Sequence, residues 1–171
     1  MSYKDSTYVI FDGDHDMWAY GYMKGWRASE HLDFDFNDAH DLDTMTNRAR
    51  GEEYVKARLR ERMKKSSAAI VLIGESTRNL YKFVRWEIDL AKSLDIPLIG
   101  VNLNGKRRMN LNTTPPILRD TCAVYTSFKM KIIKFALDHW PSEYAGLSAA
   151  DRAAGDRYYV DDVYQRLGLR D

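Results

Sequence analysis

The residue best suited to chemistry in this chain is a carboxylate, Glu87, on a helix predicted to follow a buried strand. The strand is the run AAIVLI at residues 68–73, which is short and rich in β-branched residues. The helix carries Val84, Ile88 and Ala91 at spacings of four and three, so one of its faces packs against a sheet. In an open α/β sheet, ligands bind at the carboxyl ends of the strands. We therefore expect Glu87 to lie close to a bound small molecule.

Glu87 is suited to one kind of reaction. A lone carboxylate beside aromatic side chains can hold ribose hydroxyls and stabilise an oxocarbenium-like centre while a glycosidic bond breaks. Nicotinamide is already a good leaving group, so its bond to ribose could be cleaved without a metal or a strong acid. The structural alternative is a solvated helix carboxylate paired with Lys82 or Arg85, which would contribute little energy.

The acidic loop FDGDHD, residues 11–16, has several interpretations. It is not a calcium loop, because Met17 stands where such a loop needs Gly and Met23 where it needs Glu. Asp12 and Asp14 fit the start of a haloacid-dehalogenase-type phosphatase in outline, but no later acidic pair completes a magnesium site. A helix-capping turn and a polar rim for a ribose or a base remain open.

Composition excludes several classes of protein. The chain has 26 Lys+Arg and 25 Asp+Glu, so its net charge of +1 favours neither nucleic acid nor an acidic membrane as a partner. A single cysteine, Cys122, excludes an internal disulfide. The four histidines lack metal-ligand spacing, so we expect no metal, and no Gly-rich dinucleotide or P-loop motif occurs. No signal core or membrane span is visible, which predicts a cytoplasmic protein.

Strands and helices alternate along the chain, which predicts a parallel, doubly wound sheet of about five strands with helices on both faces. One helix, after the acidic loop, has an aromatic face formed by Trp18, Tyr22 and Trp26. We predict an α/β domain over residues 1–141, with Pro141 ending its last helix, and a helical extension over residues 142–171. The predicted strands are residues 7–11, 32–37, 68–73, 96–101 and 122–126, and the extension has a predicted helix at residues 156–167.

Several stretches of this chain resemble the TIR-like proteins of bacterial Thoeris antiphage defence systems. They are DFDFNDAHDL, LRERMKKSSAAIVLIGESTRNLYKFVRWEIDLA, IPLIGVNLNG and PPILRD. The resemblance covers roughly residues 8–140 and is most specific over residues 59–91. It implies a flavodoxin-like TIR fold.

The resemblance also implies an activity. Such an enzyme senses a phage component and cleaves the nicotinamide–ribose bond of NAD, which is a substrate and not a cofactor. It then cyclises the ADP-ribose part into a diffusible nucleotide that activates a separate effector. Glu87 occupies the position of the family's catalytic glutamate, so the resemblance and the topology indicate the same residue.

Further site residues are expected where the strands end. Phe11, Asp12 and His15 follow the first predicted strand and would line the nicotinamide-ribose side. Asp38 and His40 follow the second predicted strand and Ser76 the third, and Trp86, on the helix beside Glu87, is a further candidate. Two alternatives remain open. One is a non-catalytic TIR-like interaction module that self-associates, as a homo-oligomer. The other is an enzyme resembling nucleoside deoxyribosyltransferases, which would act on deoxynucleosides and not on NAD.

Overall fold

The strands that the structure describes form one parallel sheet. The computed structural model describes residues 7–29, 51–79, 83–153 and 156–170. Within these ranges the sheet order is β1-β2-β3-β4-β5, and each neighbouring pair is parallel. The predicted α/β fold is confirmed. The strands are β1 (Thr7–Ile10), β2 (Ala68–Ile73), β3 (Leu98–Asn102), β4 (Ala123–Ser127) and β5 (Arg157–Tyr158).

Helices cover both faces of the sheet. The described helices are α1 (Met17–Ala28), α2 (Glu52–Lys64), α3 (Phe83–Ser93), α4 (Pro116–Arg119), α5 (Met130–Ala145), α6 (Ala149–Arg152) and α7 (Asp161–Arg166), and a 3₁₀ turn spans Thr77–Asn79. Helices α1 and α5 pack against one face, and α2 and α3 pack against the other. Strand β2 is buried throughout and sends alternate side chains into the two cores, as its unbroken apolar run predicts.

The arrangement of the helices marks where a ligand would bind. Helix α1, which follows β1, lies on the opposite face from α3, which follows β2. The connections therefore change face between these two strands, and such a switch point leaves a crevice at the carboxyl ends. Strands β2, β3 and β4 end level, since Ile73 is in register with Asn102 and Asn102 with Ser127.

The fifth described strand is not one of those predicted. The predicted strand at residues 32–37 lies outside the described residues. Strand β5 instead falls within residues 156–167, which were predicted to be helical, and only Asp161–Arg166 of that range forms a helix. The prediction was wrong because β5 pairs with Val124 and Tyr125 of β4, and tertiary pairing overrides the local pattern.

Pro141 does not end helix α5, which continues to Ala145. A proline inside a helix removes one hydrogen bond and crowds the preceding turn. Trp140 beside it is 1% exposed, and Tyr144 packs against the same core, so side-chain burial on both sides of the proline holds the helix together. The division of the chain into residues 1–141 and 142–171 stays a prediction.

The C-terminal segment packs onto the rest of the domain. The Arg107 guanidinium lies 4.0 Å from the centre of the Tyr164 ring, and Arg108 lies 4.1 Å from that of Tyr158. The hydroxyl of Tyr164 accepts a hydrogen bond of 3.2 Å from the backbone N–H of Ser127, at the end of β4. Arg107 and Arg108, in the loop after β3, therefore hold α7 and β5 by cation–π contacts.

Candidate functional site

A cavity of about 320 Å³ opens at the carboxyl ends of the strands. The loops after β1, β2 and β3 all contribute to its wall, as the switch point predicts. Its volume is at the lower end of the range of small-molecule sites. The lining residues are His15, Asp16, Trp18, Ile73, Gly74, Glu75, Ser76, Leu103, Asn104 and Thr113.

Asp12 and His15 form a hydrogen-bonded pair beside this cavity. The Nδ1 atom of His15 lies 2.7 Å from Oδ2 of Asp12. Asp12 is only 3% exposed, and its second oxygen accepts a hydrogen bond of 2.9 Å from the backbone N–H of Asp14. The carboxylate is thus fixed in place, while the imidazole of His15 is 62% exposed and lines the cavity.

Asp16 forms part of the cavity wall, where it meets the end of β2. Its Oδ2 lies 3.3 Å from Oγ1 of Thr77, which donates to it, and that hydroxyl accepts a 2.8 Å hydrogen bond from the N–H of Gly74. Asp16 precedes α1, as expected of a capping residue, but its side chain makes no capping hydrogen bond. The carboxylate instead joins the loop after β1 to the loop after β2.

Burial raises the pKa of Asp16 above its ordinary value, and the negative charge of Asp12 adds to the rise. The hydrogen bond from Thr77 and the nearby His15 oppose it. The folded state therefore keeps the Asp16 proton to a higher pH than the unfolded chain does. Between the two pKa values the folded state binds more protons, so stability falls as pH rises.

Asp16→Asn should accordingly stabilise the protein near neutral pH. The amide removes the buried charge and leaves an oxygen to accept from Thr77. The gain in stability should disappear as the pH falls below the ordinary pKa of an aspartate, because the wild type and the variant are then both uncharged at this position. Urea unfolding from pH 3 to 8 would measure this, and a gain that is constant over the whole range would contradict the assignment.

Trp18 belongs to the cavity, although it was predicted only as part of an aromatic helix face. Its side chain is 51% exposed, and its ring meets those of Tyr22 and Phe128 edge-on, at centroid distances of 6.2 and 5.7 Å. Its position, two residues after the acidic loop, was the feature of the sequence that could have predicted its place at the cavity. Tyr22 is also exposed, so this end of the aromatic face is turned to solvent.

Glu87 lies inside the protein, between α3 and the sheet. It is 1% exposed and accepts a short hydrogen bond from the hydroxyl of Tyr8. Burial raises the pKa of Tyr8 well above its usual range, and the charge and hydrogen bond of Glu87 raise it further, so Tyr8 remains a donor. Glu87 does not line the cavity described above. Its catalytic role stays a prediction.

The other predicted site residues fall into three groups. His15 and Ser76 line the cavity, and Asp12 contacts it through His15. Phe11 and Trp86 are not among the lining residues: Phe11 is buried and stacks on Tyr20 at 4.5 Å, while Trp86 lies beneath Lys56 and Arg60 of α2. Asp38 and His40 lie outside the described residues.

Among residues 7–29, 51–79, 83–153 and 156–170, no group of three or more His, Cys, Asp or Glu side chains is arranged to hold a metal ion. In the same ranges, no helix is long and apolar enough to cross a membrane.

A parallel sheet with helices on both faces, and a cavity where its connections change face, are consistent with a TIR-like α/β domain. The sequence profile of the family described as "Thoeris protein ThsB, TIR-like domain" matches residues 2–108, more than half of the chain. The chain therefore belongs to this family, and its membership supports a role in antiphage defence. No curated protein matches the chain.

Proposed function

We propose that this protein is an antiphage defence enzyme that cleaves NAD at its nicotinamide–ribose bond. It then cyclises the ADP-ribose part into a signal that activates a separate effector. One observation carries the proposal. The segment that matches the Thoeris family, residues 2–108, contains Glu87, a buried carboxylate held by Tyr8, and every residue lining the cavity except Thr113.

The cleavage step uses the charge of Glu87. The bond between the ribose anomeric carbon and the pyridinium nitrogen breaks, and its electron pair leaves with nicotinamide, which departs as a neutral molecule. Positive charge then develops on the ribose. A carboxylate in a surrounding of low polarity stabilises such a charge far more strongly than one in water does.

The burial of Glu87 has a consequence for regulation. At 1% exposure its carboxylate does not reach a ligand in this conformation. Turnover requires a conformation in which the carboxylate is uncovered, and a phage component that binds that conformation would increase its population. We therefore expect low activity from the resting protein.

Trp18 offers a flat ring to one of the bases of NAD. Stacking of a base on an aromatic side chain contributes about 1–3 kcal/mol, so Trp18→Ala should raise the Kd for NAD about tenfold. Isothermal titration calorimetry would measure the change. Tyr22→Ala is the matched control, because Tyr22 is also exposed on the same helix but does not line the cavity. Equal effects of the two substitutions would contradict a specific role for Trp18.

The whole proposal is tested by mass spectrometry of nucleotides from cells that express the protein, with and without phage infection. A cyclic ADP-ribose species and free nicotinamide should appear only in infected wild-type cells and be absent with Glu87→Gln. Unchanged NAD and no new nucleotide under infection would overturn the proposal.

A second candidate function is a non-catalytic interaction module. The specific observation in its favour is the exposed apolar group at the start of α1, which comprises Met17, Trp18 and Tyr22. Exposed groups of this kind often mark contact surfaces between proteins. Concentration-dependent oligomers that Tyr22→Ala disrupts, without NAD consumption under any condition, would favour this function.

A further inference from the structure

The pair formed by Asp12 and His15 has no part in the bond cleavage assigned to Glu87. An imidazole held by a buried carboxylate at one nitrogen and open to a ligand at the other is a common proton acceptor in enzymes. Both features are present here. Asp12 is 3% exposed and holds Nδ1 of His15 at 2.7 Å, and the ring lines the cavity.

The hydrogen bond defines the tautomer of His15. A carboxylate can only accept, so Nδ1 carries the hydrogen in the neutral ring and Nε2 carries the lone pair. Nε2 has no hydrogen-bond partner among the residues that the structure describes. The basic nitrogen is therefore available to a hydroxyl group of a ligand.

We propose that His15, positioned by Asp12, accepts the proton from the substrate hydroxyl that closes the cyclic product. This inference rests on the proposed function. After nicotinamide has left, a hydroxyl oxygen of the same substrate attacks the positively charged anomeric carbon. A carbon–oxygen bond forms, and the hydroxyl proton passes to Nε2 of His15 and later to solvent. The sum is NAD⁺ giving cyclic product, neutral nicotinamide and one proton.

The neighbouring acids are less suited to this step. Asp16 accepts from Thr77, and its carboxylate packs against Gly74. Glu75 is exposed on the loop after β2. Glu87 is buried against Tyr8 and does not line the cavity. Only His15 among these combines a buried partner with an exposed basic atom.

The test compares product partition in phage-infected cells. His15→Gln and Asp12→Asn should keep nicotinamide release but lower the ratio of cyclic to linear ADP-ribose, on the order of 10²-fold for His15→Gln. Water then captures the ribose centre in place of the hydroxyl. His139→Gln is the matched control, because His139 is exposed on α5 and does not line the cavity.

Two results would overturn the role of His15 while leaving the cleavage intact. One is an unchanged ratio in His15→Gln, and the other is an equal loss of nicotinamide and cyclic product, which would indicate a structural role. If Asp12 had only a structural role, Asp12→Asn would lower nicotinamide release and cyclic product equally. The ratio of cyclic to linear ADP-ribose would then stay unchanged.

A second measurement does not depend on turnover. In purified protein with ¹³C-labelled histidine, ADP-ribose should shift the ring resonances of His15 and leave those of His139 in place. If the ring resonances of His15 do not shift at saturating ADP-ribose, the inference is overturned. If His15 shifts but wild-type cells release no nicotinamide, the proposed function is overturned while the ribose contact at His15 stands.

Discussion

Replacing Glu87 with Gln is expected to lower nicotinamide release by at least about 10²-fold, the usual cost of removing one transition-state charge interaction. Glutamine has the same shape and keeps an oxygen that can accept the hydrogen bond from Tyr8. What it lacks is the negative charge that stabilises the ribose centre. Nicotinamide is measured in infected cells by mass spectrometry.

Asp89→Asn is the matched control for this substitution. Asp89 lies on the same helix, two residues along, but its side chain is exposed. The same loss of charge there should leave nicotinamide release unchanged. Thermal unfolding of the purified variants should show that both are folded. If folded Glu87→Gln releases nicotinamide at more than about a tenth of the wild-type level, the catalytic role of Glu87 is ruled out. A loss of less than about tenfold is much smaller than the loss of about 10²-fold expected when such a charge interaction is removed.

Gly74→Ala is expected to disrupt the wall of the cavity. A Cβ atom at this position would lie 2.8 Å from Cγ of Asp16, and closer to both carboxylate oxygens. Asp16 is 5% exposed and held by Thr77, so it cannot turn away without losing that contact. Forcing an extra carbon into a packed site costs about 1–3 kcal/mol. Urea unfolding measures this loss, and ligand titration should show weaker NAD binding.

Gly21→Ala is a control with the opposite expected sign. No atom lies within 4 Å of a Cβ added at Gly21, which is inside helix α1. Alanine in a helix interior is favoured over glycine by about 0.5–1 kcal/mol. The same chemical change should therefore stabilise the protein at residue 21 and destabilise it at residue 74. A stabilising effect at both positions would show that Asp16 moves freely.

The local pattern of residues was enough to predict β2. The run at residues 68–73 is apolar and β-branched, and it forms a strand buried on both faces with the predicted ends. The spacing of Val84, Ile88 and Ala91 likewise identified the buried face of α3. Alternation of such segments predicted the parallel sheet, and with it the edge where His15 and Ser76 meet. These features depend only on residues that are close together in the sequence.

Contacts between distant residues could not be predicted in this way. Tyr8 and Glu87 are 79 residues apart, and their hydrogen bond depends on the position of α3 against β1. The sequence predicted an acid near the ligand edge, whereas packing buries that acid beneath a tyrosine. Strand β5 forms because it pairs with the edge of β4, although the pattern of its own segment predicts a helix.

The composition and periodicity of this chain determined its α/β class, its buried strand and the acidic loop that follows β1. Its tertiary structure decided that Asp16 fills the space left by Gly74, that Trp18 faces solvent at the cavity and that Glu87 is covered. The reason is physical. The periodicity of a segment shows which of its faces is apolar. The register of the strands and the path of the connections between them decide which polar groups lie beside that face.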